Sequence, residues 1–67
     1  MKQLGNLAIV CAKRKDVMMC LYHGSVHVSA GGAYDAKVVT APWDDDEKIL
    51  KIVHELNFGE MAEKRSA

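Results

Sequence analysis

Short apolar runs separated by turn residues fill the first 40 positions of this chain. Residues 7–12 (LAIVCA) and 17–22 (VMMCLY) have the length and apolar character of buried strands. His23-Gly24 follows the second run, where a two-residue hairpin turn needs positive φ. Residues 25–29 alternate polar and apolar, as expected for a strand with one buried face. The sequence therefore predicts three antiparallel strands, and residues 37–40 (KVVT) predict a fourth at an edge.

The chemistry changes after Pro42, where a helix is predicted to begin. Asp44 can cap the free backbone N–H groups, and Glu47 can reach back in a capping box. An apolar stripe follows at i, i+3, i+4 and i+7, formed by Ile49, Ile52, Val53 and Leu56. We therefore predict an α+β fold of order β-β-β-(β)-α, with an antiparallel sheet of three to four strands and one C-terminal amphipathic helix packed on one face. Residues 1–59 form a single domain in this interpretation, and residues 60–67 form a polar tail expected to fray.

Composition narrows the class of function. The chain has 67 residues with 9 basic and 9 acidic side chains, so no net charge attracts nucleic acid or an anionic membrane. The apolar runs are far shorter than the ~18 residues of a membrane span, and the N-terminus lacks the pattern of a secretory signal. We therefore expect a cytoplasmic protein with Cys11 and Cys20 as free thiols. A single-helix chain of this size has little room for a pocket, so we expect no enzyme.

The hairpin at His23-Gly24 fixes which side chains share a face. Pairing Tyr22 with Ser25 puts Cys20 opposite His27, on a face with Met18, Ser25 and Ser29. The other face is uniformly apolar, and we assign it to the helix; it carries Val17, Met19, Leu21, Val26 and Val28. The register of the first predicted strand stays open. An even loop would add Leu7, Ile9 and Cys11 to the face away from the helix, and an odd loop would exchange them for Ala8, Val10 and Ala12.

One helix can cover only one face of such a sheet, so an apolar patch should remain exposed. Such patches mark interaction sites. The predicted interaction surface consists of Leu7, Ile9, Cys11, Met18, Cys20, Tyr22 and His27. We expect a homodimer, because like surfaces pair in two-fold symmetric oligomers. The alternatives are another protein as partner, or a chain terminus folded over the patch.

Two further groups of residues suggest sites. Lys13, Arg14 and Lys15 are a candidate nucleic-acid contact, although Asp16 and the zero net charge weaken it. The run from Asp44 through Asp45 and Asp46 to Glu47 is a candidate surface for a basic partner, but helix capping explains the same residues.

The cysteines and His27 suggest little chemistry of their own. Cys11, Cys20 and His27 match no zinc-ligand spacing, so no metal or other cofactor is expected. Cys20 and His27 lack an orienting carboxylate, so no catalytic residues are expected either.

Three segments of the chain are similar to segments of other proteins: LGNLAIVCA (4–12), WDDDE (43–47) and LNFG (56–59). Together they resemble short uncharacterised proteins of phage-like or conjugative mobile elements of gut anaerobic bacteria. The resemblance spans most of the chain and implies no catalytic activity. It implies an accessory role in a mobile element, as a factor that binds nucleic acid or inhibits a host defence nuclease.

Overall fold

A computed structural model describes residues 2–31 and 36–62 of the chain. Within these residues the elements follow the order α-β-β-β-α and are α1 (Lys2–Ala12), β1 (Val17–Tyr22), β2 (Ser25–Ala30), β3 (Lys37–Pro42) and α2 (Asp46–Phe58). The strands form one antiparallel sheet in the order β1-β2-β3. The α+β class, the three-stranded antiparallel sheet and the C-terminal helix are confirmed.

The hairpin between β1 and β2 has the predicted register. Tyr22 pairs with Ser25 and Cys20 with His27. His23 and Gly24 both have positive φ, at 49° and 77°. Positive φ at both central residues is the mark of a type I′ turn, whose twist matches that of the flanking strands. The two turn residues therefore determine which side chains share each face of the sheet.

The predicted strand at residues 7–12 is wrong, because these residues are the second half of α1. Leu4, Leu7 and Cys11 recur at i, i+3 and i+7 and direct one side of α1 toward the core. A continuous apolar run of this length fits a buried helix as well as a strand. The described residues therefore contain three strands, within the predicted three to four, and two helices rather than one. Residues 37–40 belong to β3, the third strand, which lies at an edge as predicted.

Both helices cover the same face of the sheet. α1 packs against α2 and lies over β1, while α2 lies over β3. The core between the two layers contains five side chains with essentially no exposure: Leu7, Val26, Val28, Ile49 and Leu56. Alternate residues of β2 are buried, as a strand with one covered face requires. The covered face thus carries the buried side chains of Val17, Val26 and Val28.

The start of α2 differs in detail from the prediction. Asp45, not Asp44, is the N-cap, and its Oδ1 accepts a hydrogen bond from the backbone N–H of Lys48 at 3.2 Å. Gly59 is the C-cap, and its N–H donates to the Glu55 carbonyl. Met61 is buried in the core, so the predicted tail is packed at its beginning. Residues 63–67 of that tail lie outside the described residues.

Candidate interaction surface

The face of the sheet opposite the helices, here called the outer face, is formed by alternate residues of all three strands. The strand register assigns to it Met18, Cys20 and Tyr22 from β1, Ser25, His27 and Ser29 from β2, and Val38, Thr40 and Pro42 from β3. Among the described residues neither helix packs on this face. None of its side chains is a carboxylate, an ammonium or a guanidinium group.

Apolar exposure on the outer face is greatest along β1. Met18 is 74% exposed and Tyr22 is 63% exposed, and Cys20 between them is also exposed. The neighbouring row on β2 is polar and only half-exposed. Val38 on β3 is exposed as well. The most continuous apolar row of the outer face therefore lies on an edge strand.

Aromatic contacts position Tyr22 at the hairpin end of this row. Its ring meets the His23 ring edge-on, with centroids 4.1 Å apart, and faces His27 at 6.1 Å in a similar geometry. Such contacts stabilise aromatic pairs beyond the area that they bury. Tyr22 is therefore an exposed aromatic side chain with defined neighbours.

Four of the seven residues predicted for the interaction surface lie on the outer face: Met18, Cys20, Tyr22 and His27. Leu7 and Cys11 are buried in the core instead, and Ile9 is exposed on α1, in the helical layer. These three were assigned to the outer face on the premise of a strand at residues 7–12, and that premise fails. The outer-face residues of β3 were missed. The pairing of β2 with β3 would have been needed to find them.

The two cysteines lie on opposite sides of the sheet. Cys11 is buried beneath the helices, while Cys20 is exposed on the outer face. Burial raises the pKa of the Cys11 thiol, although nearby Arg14 acts in the opposite direction. Cys11, Cys20 and His27 therefore do not share a face. Within residues 2–31 and 36–62 there is no cluster of three or more His, Cys, Asp or Glu suited to a metal ion.

Arg14, one of the three candidate nucleic-acid contacts, is bound within the fold. The three residues lie in the connection from α1 to β1, not at a hairpin tip. The Arg14 guanidinium donates two hydrogen bonds to the Asp16 carboxylate, and Nη1 also donates to the carbonyls of Leu56 and Met61. Its side chain is only 10% exposed. Lys13 and Lys15 are the two basic side chains of this segment that remain exposed.

Of the four acidic residues around the start of α2, two have structural roles and two are exposed. Asp45 caps α2. Asp46 accepts a hydrogen bond from the backbone N–H of Gln3, in the first turn of α1. That hydrogen bond is the main reason why the pKa of Asp46 lies below its usual value. Asp44 and Glu47 remain exposed as a candidate acidic surface.

Comparison with known proteins adds no relative. No protein-family model matches the chain, and no curated protein or solved structure shows significant similarity to it. In the part of the chain that the structure describes, neither helix has the length and apolar character needed to cross a bilayer. The function must therefore be inferred from the surface itself.

Proposed function

We propose that this protein is a small non-enzymatic interaction module that forms a homodimer through the helix-free outer face of its sheet. The exposed apolar row of Met18, Cys20 and Tyr22 is the observation that supports this proposal most strongly. A contiguous apolar surface of this kind in a small domain favours association, because burial removes it from water. We further propose a cytoplasmic location, where the exposed Cys20 thiol stays reduced.

The charge of the outer face favours a second copy as the partner. Like charges placed opposite each other across an interface cost several kcal/mol. The outer face presents no Asp, Glu, Lys or Arg, so two copies can approach without that cost. A strongly charged partner would find no complementary group on it. Two-fold pairing of identical patches is also the commonest arrangement of soluble oligomers.

Sedimentation of matched variants tests this function. We expect wild type to sediment as a dimer and Tyr22→Asp as a folded monomer, because the new carboxylate would be buried against apolar side chains. Ile9→Asp is the control, since Ile9 is also an exposed apolar residue but lies on α1. It should remain dimeric. A wild type that is monomeric at high concentration would rule out self-association, and equal effects of both variants would rule out the outer face.

The second candidate function is that of a mobile-element accessory factor that binds nucleic acid or inhibits a host defence nuclease. The resemblance in sequence suggests it. The exposed Lys13 and Lys15 offer phosphate contacts, while Asp44 and Glu47 offer an acidic surface to a basic partner. Nucleic-acid binding that weakens with salt and is lost in a Lys13→Ala/Lys15→Ala variant would support the first form. Unchanged binding in that variant would argue against it.

A further inference from the structure

The free edge of β1 locates the contact of the proposed dimer more closely, at the β1 border of the outer face rather than across the whole of that face; this inference rests on the proposed self-association. We propose that the second copy docks edge to edge on β1, antiparallel to it, about a two-fold axis at Cys20. The two sheets would then form one continuous sheet, with three strands from each copy. Addition of a strand to an open edge is an established mode of protein recognition.

The backbone of β1 has unpaired groups along its outer edge. In an antiparallel pair, successive residues direct their N–H and C=O groups alternately toward the partner strand and away from it. The backbone carbonyl of Asp16 accepts a hydrogen bond from the Gly31 N–H at 3.1 Å. The backbone N–H and C=O groups of the even-numbered residues of this segment therefore point toward β2. The backbone groups of Val17, Met19 and Leu21 therefore point outward. Among the described residues no strand pairs with them.

The other edge of the sheet carries the features that normally discourage such pairing. Charged side chains, particularly Lys, and proline protect edge strands from adding a further strand. β3 begins with Lys37, which forms an ion pair with Glu60, and ends with Pro42. β1 contains neither a charged residue nor a proline. The two edges thus differ in the way expected if only β1 receives a partner.

Leu21 distinguishes an edge contact from simple stacking of two outer faces. Its side chain belongs to the helix-covered face, yet it is 53% exposed. Tyr22 is exposed on the opposite face, so the second half of β1 is uncovered on both sides. Stacking of outer faces would leave Leu21 in water. A neighbouring strand at the β1 edge would cover both Leu21 and Tyr22.

The side chains of β1 select the register about Cys20. In that register Cys20 lies opposite the partner's Cys20, Met18 opposite the partner's Tyr22, and Met19 opposite the partner's Leu21. All are apolar pairs, and the methionine–aromatic contact is favourable in itself. The next register, centred on Met19, would place Asp16 opposite the partner's Tyr22. The two-fold arrangement also keeps the basic connections of the two copies, around Lys15, at opposite ends of the paired strands.

Cys20 provides a direct test of this register. Opposed residues in a non-hydrogen-bonded antiparallel pair have Cα atoms about 4.5 Å apart, within the roughly 4.4–6.8 Å range of disulfides. Diamide, which takes up the two protons and two electrons released when two thiols join, should convert wild type to a covalent dimer. Cys11 is buried and should not compete. In a Cys20→Ser background, Met18→Cys alone should not cross-link, because the two positions lie about 13 Å apart along the strands. Met18→Cys combined with Tyr22→Cys should restore the cross-link.

The outcomes separate this inference from the broader function. Rapid cross-linking of wild type, with a dimer that tolerates His27→Asp, supports the edge contact, because His27 lies on β2, away from the β1 edge. A dimer that resists diamide and dissociates in His27→Asp overturns the edge contact but keeps association through the outer face. Equal cross-linking at positions 18 and 20 indicates random collision and overturns the register. A monomeric wild type under reducing conditions overturns both proposals.

Discussion

The carboxylate of Asp46 accepts a hydrogen bond from the backbone N–H of Gln3, with Oδ1 and the nitrogen 3.2 Å apart. The two residues are 43 positions apart in sequence, at the N-terminal ends of α2 and α1. Asp45 meanwhile caps α2 itself. Adjacent aspartates therefore satisfy free N–H groups of two different helices, and both carboxylates lie where the helix dipole favours negative charge.

This arrangement predicts that stability declines in acid. The pKa of Asp46 is lowered in the folded state by the Gln3 hydrogen bond, and those of Asp16 and Glu60 are lowered by hydrogen bonds from Arg14 and Lys37. A lowered pKa means that the folded state binds fewer protons than the unfolded chain. The stabilisation is therefore complete above the unfolded values, which are 3.8 for Asp and 4.5 for Glu, and is lost as the pH falls through the folded ones.

Urea unfolding between pH 6 and pH 2.5 measures this dependence, at about half-unit steps. Asp46→Asn should flatten the acid limb of the curve, because the amide oxygen can still accept the hydrogen bond but no longer titrates. Asp44→Asn changes an exposed aspartate two positions earlier in the chain. It is the matched control and should change the acid limb less. An acid limb that is the same in wild type and Asp46→Asn would contradict the role assigned to this carboxylate.

Of the three basic residues at positions 13–15, we expect Arg14 to contribute most to the stability of the fold. Its guanidinium links Asp16, just before β1, to the carbonyl of Leu56 in α2 and to that of Met61 just beyond the helix. Arg14→Ala should lower the free energy of unfolding by about 2–3 kcal/mol, because buried acceptors lose a charged donor. Lys13→Ala should change it by no more than about 0.5 kcal/mol, since Lys13 is exposed. Similar losses in the two variants, measured by urea unfolding, would argue against the structural role.

The sequence predicted the hairpin and its faces correctly because the information is local. His23-Gly24 alone determines the turn type, and the turn determines which residues of β1 and β2 lie opposite each other. Met18, Cys20, Tyr22 and His27 could thus be placed on one face without knowledge of the rest of the fold.

The first helix could not be predicted in the same way. Residues 7–12 are apolar without a clear period, and the Gly-Asn pair before them is a residue combination common in turns. Only packing against α2 decides that Leu7 and Cys11 are core residues of a helix. The structural role of Arg14 could likewise not be predicted, because its carbonyl partners lie more than 40 positions away.

Gly5→Ala tests the helical assignment of α1 directly. Gly5 lies inside α1 and does not have positive φ, and a Cβ at this position would meet no atom within 4 Å apart from its chain neighbours and the backbone of its own helix. Alanine should therefore raise the free energy of unfolding by about 1 kcal/mol, the difference in helix propensity. If Gly5 instead lay in a turn with positive φ, alanine would destabilise the protein. A loss of stability in the urea midpoint would contradict the helix.

Gly59 gives the opposite expectation at the end of α2. A Cβ built there would lie 2.9 Å from the Glu55 Cα and closer still to its carboxylate. The side chain of Glu55 can move, but the backbone can do so only by distorting the last turn of α2. Gly59→Ala should therefore cost about 1–3 kcal/mol, as overpacking does elsewhere. The double variant Glu55→Ala/Gly59→Ala should regain only the part of this stability that is lost through the Glu55 side chain. Thermal unfolding measures the difference, and a double variant as stable as Glu55→Ala alone would show that the backbone contact is unimportant.

Leu7 and Ile9 were both predicted to lie on the interaction surface, but they lie on different sides of α1. Leu7 is fully buried, while Ile9 is 56% exposed. Leu7→Ala should lower the free energy of unfolding by about 2–5 kcal/mol through lost burial and a cavity, whereas Ile9→Ala should have a small effect. Neither substitution should change the dimer dissociation constant where the protein remains folded, because neither side chain lies on the outer face or on β1. Sedimentation equilibrium at a temperature well below both unfolding midpoints would check this, and a weakened dimer in Ile9→Ala would extend the association surface to the helical layer.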